Sequence, residues 1–424
     1  MKILLIGSGG REHAIARSCV SSTSVERLYC APGNPGINTI AEKTDIDINN
    51  HKEVIEFCQE HEIDLVIVGP EQPLADGISD ALRIAGIKVF GPSKAAARLE
   101  SSKGYAKDIM QRYNIPTAAY RKFTHTNKDE AIEYLRNHST PVVVKADGLA
   151  AGKGVVVAET TDEAISAVLE MFDGMFGAAG ASAVIEEFLT GEEASVFALC
   201  DGTSFVTLAP AQDHKRALDG DLGKNTGGMG SFAPARVVNE VVLNKIHTQV
   251  IAPLLQGMQT ENAPFVGCLF VGLMIDNNEP RVVEFNARFG DPETQSVLSV
   301  FEGDLPKLLH SCAVGAIDPT CVTSTANGVA CTVVLASKGY PDSFEKGFPI
   351  TGILDAEKKA IVYHAGTTIK NNMLVTNGGR VLGVTAVRET LSNAIETAYS
   401  AMESITFENK YFRTDIGKKG LQHE

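Results

Sequence analysis

The sequence predicts an α/β protein that opens with a Rossmann-like parallel sheet, continues into antiparallel strands and ends in a small α+β unit. Three observations predict it. Short β-branched runs alternate with helical patterns up to about residue 100; strand pairs meeting at glycine-rich turns follow; and new strands with a last helical pattern appear after about residue 327. At 424 residues the chain also exceeds a single core, since domains run to ~100–200 residues.

Taken in order, the runs at 3–6, 28–30, 65–68 and 89–90 are separated by amphipathic stretches such as 53–60, the grammar of right-handed βαβ crossovers. From residue 101 come a helix, a strand at 120–123, a helix at 128–137 and a strand pair around a glycine loop. Between 183 and 287, apolar runs meet at Asp201-Gly202 and Asp276-Asn277-Asn278, which predicts antiparallel pairing. Strands at 329–336 and 381–387 and a helix near 392–404 complete the chain. The expected division is 1–103, then 104–315 with a mobile glycine-loop part at about 123–190, then 325–424. Lys418-Lys419 reads as a solvated basic terminus.

Composition excludes several functions. Lys and Arg number 38 against 52 Asp and Glu, and a net charge of −14 opposes wrapping a nucleic acid. The eight cysteines are scattered with no Cys-x-x-Cys pair, which predicts buried reduced thiols and a cytoplasmic protein. No apolar run reaches the ~18 residues of a membrane span, so no membrane is expected.

Several motifs carry chemistry. Gly7-Ser8-Gly9-Gly10-Arg11-Glu12-His13 joins a strand to a helix, where free amides favour a phosphate. A dinucleotide fingerprint would need glycine at position 12, so NAD is not expected; a phosphate ester site and a plain tight turn both remain open. In the stretch 142–157, two β-branched strands bracket three glycines with Lys145 and Lys153. The backbone can fold over an anion there while the ammoniums supply point charges. Spacing and the missing Ser or Thr after the second lysine rule against a Walker A loop. The run 183–189 connects two subdomains, a natural seat for adenine. Along a strand, Glu284, Asn286 and Arg288 share one face while Val283, Phe285 and Ala287 face the core. Oxygen ligands suit a hard ion, and the guanidinium suits a carboxylate or phosphoryl group. Residues 211–230 form a long polar loop in which Gly227 and Gly228 permit an amide nest for an anion.

Together and in this order, the motifs at 7–14 (GSGGREHA), 69–77 (GPEQPLADG), 145–155 (KADGLAAGKGV), 225–230 (NTGGMG), 284–293 (EFNARFGDPE), 364–367 (HAGT) and 378–384 (GGRVLGV) resemble the ATP-grasp superfamily, and within it the glycinamide ribonucleotide synthetase family. The resemblance covers essentially the whole chain. It implies an ATP-grasp fold behind the N-terminal lobe, ATP with Mg²⁺ or Mn²⁺ as cofactors, and the ligation of glycine to 5-phosphoribosylamine through a glycyl phosphate. It further implies phosphate contacts from Lys145 and Lys153 with Lys107 as a further nucleotide contact, an adenine frame of Glu186, Glu187 and Leu189, and ribose contact from Glu193. Metal would fall to Glu284 and Asn286, and glycine's carboxylate to Arg288. Gly9, Gly10, Asn225, Thr226, Gly227 and Gly228 would face phosphoribosylamine, with Asp213 orienting an amine or taking its proton; a monomer or weak dimer is expected. Lys224 stands where the family usually has proline, Ala287 where cysteine is frequent, and residues 268–275 lack the acid that many ATP-grasp enzymes place before the metal pair.

Overall fold

The computed structural model describes residues 1–149, 154–175 and 182–423. The first sheet has five parallel strands. From one edge to the other they are Glu42–Lys43, Arg27–Pro32, Lys2–Gly7, Leu65–Val68 and Val89–Phe90. Its central strands are buried on both faces, as the unbroken run Leu65-Val66-Ile67-Val68 requires of a strand covered by helices on each side. Helix starts are fixed by local chemistry. Asn50 caps His51–Glu60 by accepting from Glu53 N, and Ser93 caps Lys94–Ser101 by accepting from Ala96 N.

Two antiparallel sheets follow. The first runs Tyr120–Thr124, Ser182–Glu187, Val142–Ala146, Val155–Ala158 and packs helices Lys128–Arg136 and Thr161–Glu170. The second runs Phe205–Thr207, Glu192–Asp201, Val266–Asp276, Glu279–Asn286. In its last strand pair Gly272 opposes Glu284 but Leu273 opposes Val282, leaving Val283 bulged out. The expected strict alternation therefore fails at one residue: Val282, Phe285 and Ala287 are in the core, and Val283 turns toward the cleft between the two sheets.

The last sheet departs further from expectation. Strands Val329–Ser337, Arg380–Arg388 and Ile361–His364 are joined by Gln212–Asp213 and Gly230–Ala233 from the middle of the chain. Residues 211–230 are thus not one long loop. They form short paired strands, with Arg216–Leu218 against Leu222–Asn225 between the two that enter the sheet. This sheet also docks on the N-terminal lobe, where His364 N donates to His13 Nδ1 at 2.8 Å and Asn34 Nδ2 donates to His364 O at 2.9 Å. All eight cysteines are free thiols; seven are buried and Cys321 is half-buried. Among the described residues no helix is long and apolar enough to cross a membrane.

Candidate active site

A cleft of about 1140 Å³ opens between the two antiparallel sheets and is closed at its ends by the N-terminal lobe and the last sheet. On the first sheet, Lys145 ends the apolar strand Val142–Ala146 with its ammonium in the cleft wall. Its Nζ donates to Glu186 Oε2 at 3.0 Å and to the carbonyl of bulged Val283 at 3.0 Å. Lys107 Nζ lies 2.9 Å from the same Glu186 oxygen and donates to Thr117 Oγ1 at 2.8 Å, so one buried carboxylate gathers two lysines. Burial pulls the Lys107 ammonium down to about 8 even though Glu186 opposes it. Lys107 stands behind Glu186 and not in the cleft lining.

Glu186, Glu187 and Leu189 all line the cleft. Glu186 points at lysines, and Glu187 receives both ends of the Arg281 guanidinium at 3.1 Å. Lys153 lies outside the described residues.

On the second sheet, Glu284, Asn286 and Arg288 all reach the cleft. Burial would raise the Glu284 carboxyl, but Lys215, Lys103, Lys145 and Arg288 outweigh it and hold it at about 2. Asn286 in its hydrogen-bonded orientation donates its amide nitrogen to Glu100 Oε1 at 3.1 Å, which turns its oxygen away from that carboxylate. An ionised carboxylate with a fixed amide oxygen is a hard-oxygen donor set that fits a divalent cation. Arg288, held between Glu100 (2.8 Å) and Glu71 (3.3 Å), stays protonated. Ala287, the departure from the family's frequent cysteine, offers only its backbone N–H, bound by Glu100 Oε2 at 2.7 Å.

The strand Gln212–Asp213 brings Asp213 into the cleft wall beside Glu293. Burial raises the Asp213 carboxyl, with Lys215 opposing, and burial together with Asp213 pushes Glu293 up to about 8. Lys215 pairs with Glu193 at 3.1 Å. Sequence reasoning missed Lys419, which is no solvated tail residue: its Nζ donates to the Asp213 carbonyl at 2.7 Å and it lines the cleft. It also missed Glu71, Glu100, Lys103 and Arg11 as cleft residues.

The two glycine motifs are positioned differently from expectation. The Gly9 amide donates to Glu12 Oε2 at 2.6 Å, so the helix's own carboxylate occupies the anion position. A Cβ on Gly7 or Gly69 would collide with that same side chain at 2.4 and 2.1 Å, which explains both glycines and the absent third glycine of a dinucleotide site. Gly9 and Gly10 lie outside the cleft lining, and Arg11 is the part of the turn that enters it. In the second motif, Asn225, Thr226 and Gly227 line the cleft, but the amides are spent internally. Gly227 N donates to Tyr340 Oη at 2.9 Å and Gly228 N to Thr226 Oγ1 at 2.9 Å, so there is no open nest. Arg380 ties the loop down through Gly227 O and Asp291 O. Lys224, in the place of the usual proline, pairs with Asp342 at 2.9 Å and leaves the motif undisturbed.

Comparison with known proteins agrees with this geometry. Family models for phosphoribosylglycinamide synthetase match residues 1–100 (N domain), 101–294 (ATP-grasp domain) and 330–419 (C domain). A phosphoribosylamine–glycine ligase of Rhizobium meliloti is 50% identical over 424 residues, covering all of both chains. The crystal structure of the phosphoribosylamine–glycine ligase of Thermotoga maritima superposes with a TM-score of 0.84 at 33% identity, covering 98% of this chain and 100% of that one. Biotin carboxylase of Campylobacter jejuni, at 16% identity and a TM-score of 0.72, covers 99% of this chain and 94% of its own and shares the fold alone. With all three of its family's domains matched in order along its length, the chain belongs to the phosphoribosylglycinamide synthetase family of ATP-grasp ligases.

Proposed function

We propose that the cleft joins glycine to 5-phosphoribosylamine, converting ATP to ADP and phosphate and yielding glycinamide ribonucleotide, the second step of purine synthesis. The observation that carries this is the convergence of Lys145, Glu284, Asn286 and Arg288 on one cleft between two antiparallel sheets. Glycine's carboxylate has an oxide for a leaving group and is inert to an amine. Its oxygen therefore attacks the γ-phosphorus first, ADP departs, and glycyl phosphate results. Such transfers are accelerated by positioning and by neutralising charge on the phosphoryl oxygens. Lys145 and Lys153 hold the phosphates, with Lys107 setting the charge behind Glu186. The connector backbone from Glu186 to Leu189 frames adenine, and Glu193 receives the ribose. Glu284 and Asn286 would hold Mg²⁺ or Mn²⁺, which when bound neutralises phosphate oxygens.

Arg288 anchors the glycine carboxylate and then its acyl phosphate. The amine of phosphoribosylamine attacks the acyl carbon, phosphate leaves, and the amine's proton passes to Asp213, whose carboxyl burial raises. Phosphoribosylamine itself sits toward the Gly9–Gly10 turn and residues 225–228, with Arg11 as the reaching group. In this reading 1–103 is the substrate lobe, 104–315 the clamp with 123–190 as its moving jaw, and 325–424 the domain that closes the site. The enzyme works in the cytoplasm, in keeping with its reduced, buried cysteines, as a monomer or weak dimer that sedimentation at micromolar concentration distinguishes.

The test is phosphate release with ATP, glycine and freshly generated phosphoribosylamine, each omitted in turn. Release should require all three, and bicarbonate or formate should not replace glycine. Glycine carrying heavy oxygen in its carboxylate should pass label to phosphate; unlabelled phosphate would exclude the acyl phosphate route.

A further inference from the structure

Glu100 belongs to none of the sequence motifs of the site, yet three consecutive residues, Asn286, Ala287 and Arg288, converge on it. It ends the buried face of helix Lys94–Ser101, where Ala96, Ala97 and Leu99 pack into the core, and it is itself 7% exposed. Its Oε2 accepts from Ala287 N at 2.7 Å. Its Oε1 forms an ion pair with Arg288 Nη2 at 2.8 Å and, with the Asn286 amide in its hydrogen-bonding orientation, accepts from Nδ2 at 3.1 Å, which also reaches Phe285 O at 3.3 Å. Two hydrogen-bond donors and a guanidinium thus gather on one buried carboxylate, and this has a geometric consequence. An asparagine amide can present either its oxygen or its nitrogen to the cleft, and the two rotamers are nearly isosteric. With Glu100 in place, the nitrogen is claimed and the oxygen is the end left for a cation.

We propose that Glu100 is a positioning residue that sets the amide of Asn286 oxygen-outward for the divalent cation and, through the same carboxylate, fixes the guanidinium of Arg288 for the substrate acid. The inference rests on the assignment of Glu284 and Asn286 as the metal pair. A helix of the N-terminal lobe thereby governs the cation and acid sites of the clamp. Groups that orient ligands in this way typically affect metal affinity by about 10–100-fold.

Glu100→Gln is nearly isosteric, but whichever way its amide turns, one N–H faces another donor. Mn²⁺ binding, read from the electron paramagnetic resonance of free Mn²⁺ with a non-hydrolysable ATP analogue present, should weaken by about 10-fold or more. KM for glycine should rise, while affinity for the analogue without metal stays within about twofold, a pattern that a general loosening of the fold would not give. Glu100→Asp, which keeps the charge but withdraws it, should show a smaller loss in the same direction and serves if the glutamine variant does not fold. Asn286→Ala closes the cycle: once Asn286 is gone, Glu100→Gln should cost no further Mn²⁺ affinity, because the effect runs through that side chain. Loss of Mn²⁺ affinity in Asn286→Ala but not in Glu100→Gln overturns the role of Glu100 alone. Additive losses in the double variant also overturn it, and unchanged affinity in Asn286→Ala overturns the metal assignment and the inference with it.

Discussion

Lys145 Nζ and Glu186 Oε2 sit 3.0 Å apart across two neighbouring strands of the first clamp sheet, and both are buried. The pair explains how a lysine can wait, desolvated, in an ATP cleft. Its charge is balanced by a carboxylate that it can share with arriving phosphates, while the Val283 carbonyl fixes its reach from the opposite sheet.

Lys145→Ala should therefore lower kcat/KM for ATP by a factor on the order of 10² or more, the scale expected for a preorganised charge in a water-poor site. Steady-state phosphate release with ATP varied checks this; unchanged turnover would remove Lys145 from the site.

Glu186→Gln should destabilise the fold by about 3 kcal/mol, because it leaves two buried ammoniums without their shared counter-charge. The readout is the urea midpoint at unchanged slope. Adding Lys107→Met should recover part of the loss by removing one of the stranded cations. No recovery would show that the two lysines do not share this carboxylate.

Stability should depend on pH through Glu293. In the native protein it keeps its proton up to about 8, against 4.5 as its ordinary value. Between those limits the folded state holds more protons than the unfolded chain, so raising the pH through this window lowers stability. Glu293→Gln should flatten that decline, and denaturation midpoints at pH 5 and pH 8 measure it. The same variant should lose activity, since Glu293 lines the cleft beside Asp213.

Lys419→Ala should lower kcat/KM by about 10-fold, the worth of one charge-assisted hydrogen bond. Because Lys419 pulls the Asp213 carboxyl downward, its loss should also move the acidic limb of the pH–rate profile upward. Lys419→Arg should restore both. A truncated or unshifted profile with normal turnover would return Lys419 to the status of a surface residue.

The N-terminal lobe was legible because strands buried on both faces must be continuous apolar runs, as 65–68 is. Lys145, Glu284, Asn286 and Arg288 were legible for the converse reason: polar and charged groups on or just past apolar strands need a use. Val283 was misread because a period of two assumes an unbroken ladder, and the bulge opposite Gly272 depends on a partner strand that the local pattern does not reveal. Lys419 and Arg11 reach the cleft from the two ends of the chain, a distance no spacing rule spans. Glu100 did leave a trace. It stands four residues after Ala96 on the helix stripe that also carries Ala97 and Leu99, and an acid on a core-facing stripe signals a buried partner.

The strand Gly230–Ala233 pairs with Gln212–Asp213 on one edge and with Val329–Ser337 on the other. During synthesis, the middle of the chain must therefore leave the ribosome with that edge bare and wait for a strand made much later. The N-terminal lobe can mature early, but the two-stranded wall that carries Asp213 keeps one edge open until then, and a nascent chain stopped before residue 329 exposes a sheet edge prone to pair with a neighbour.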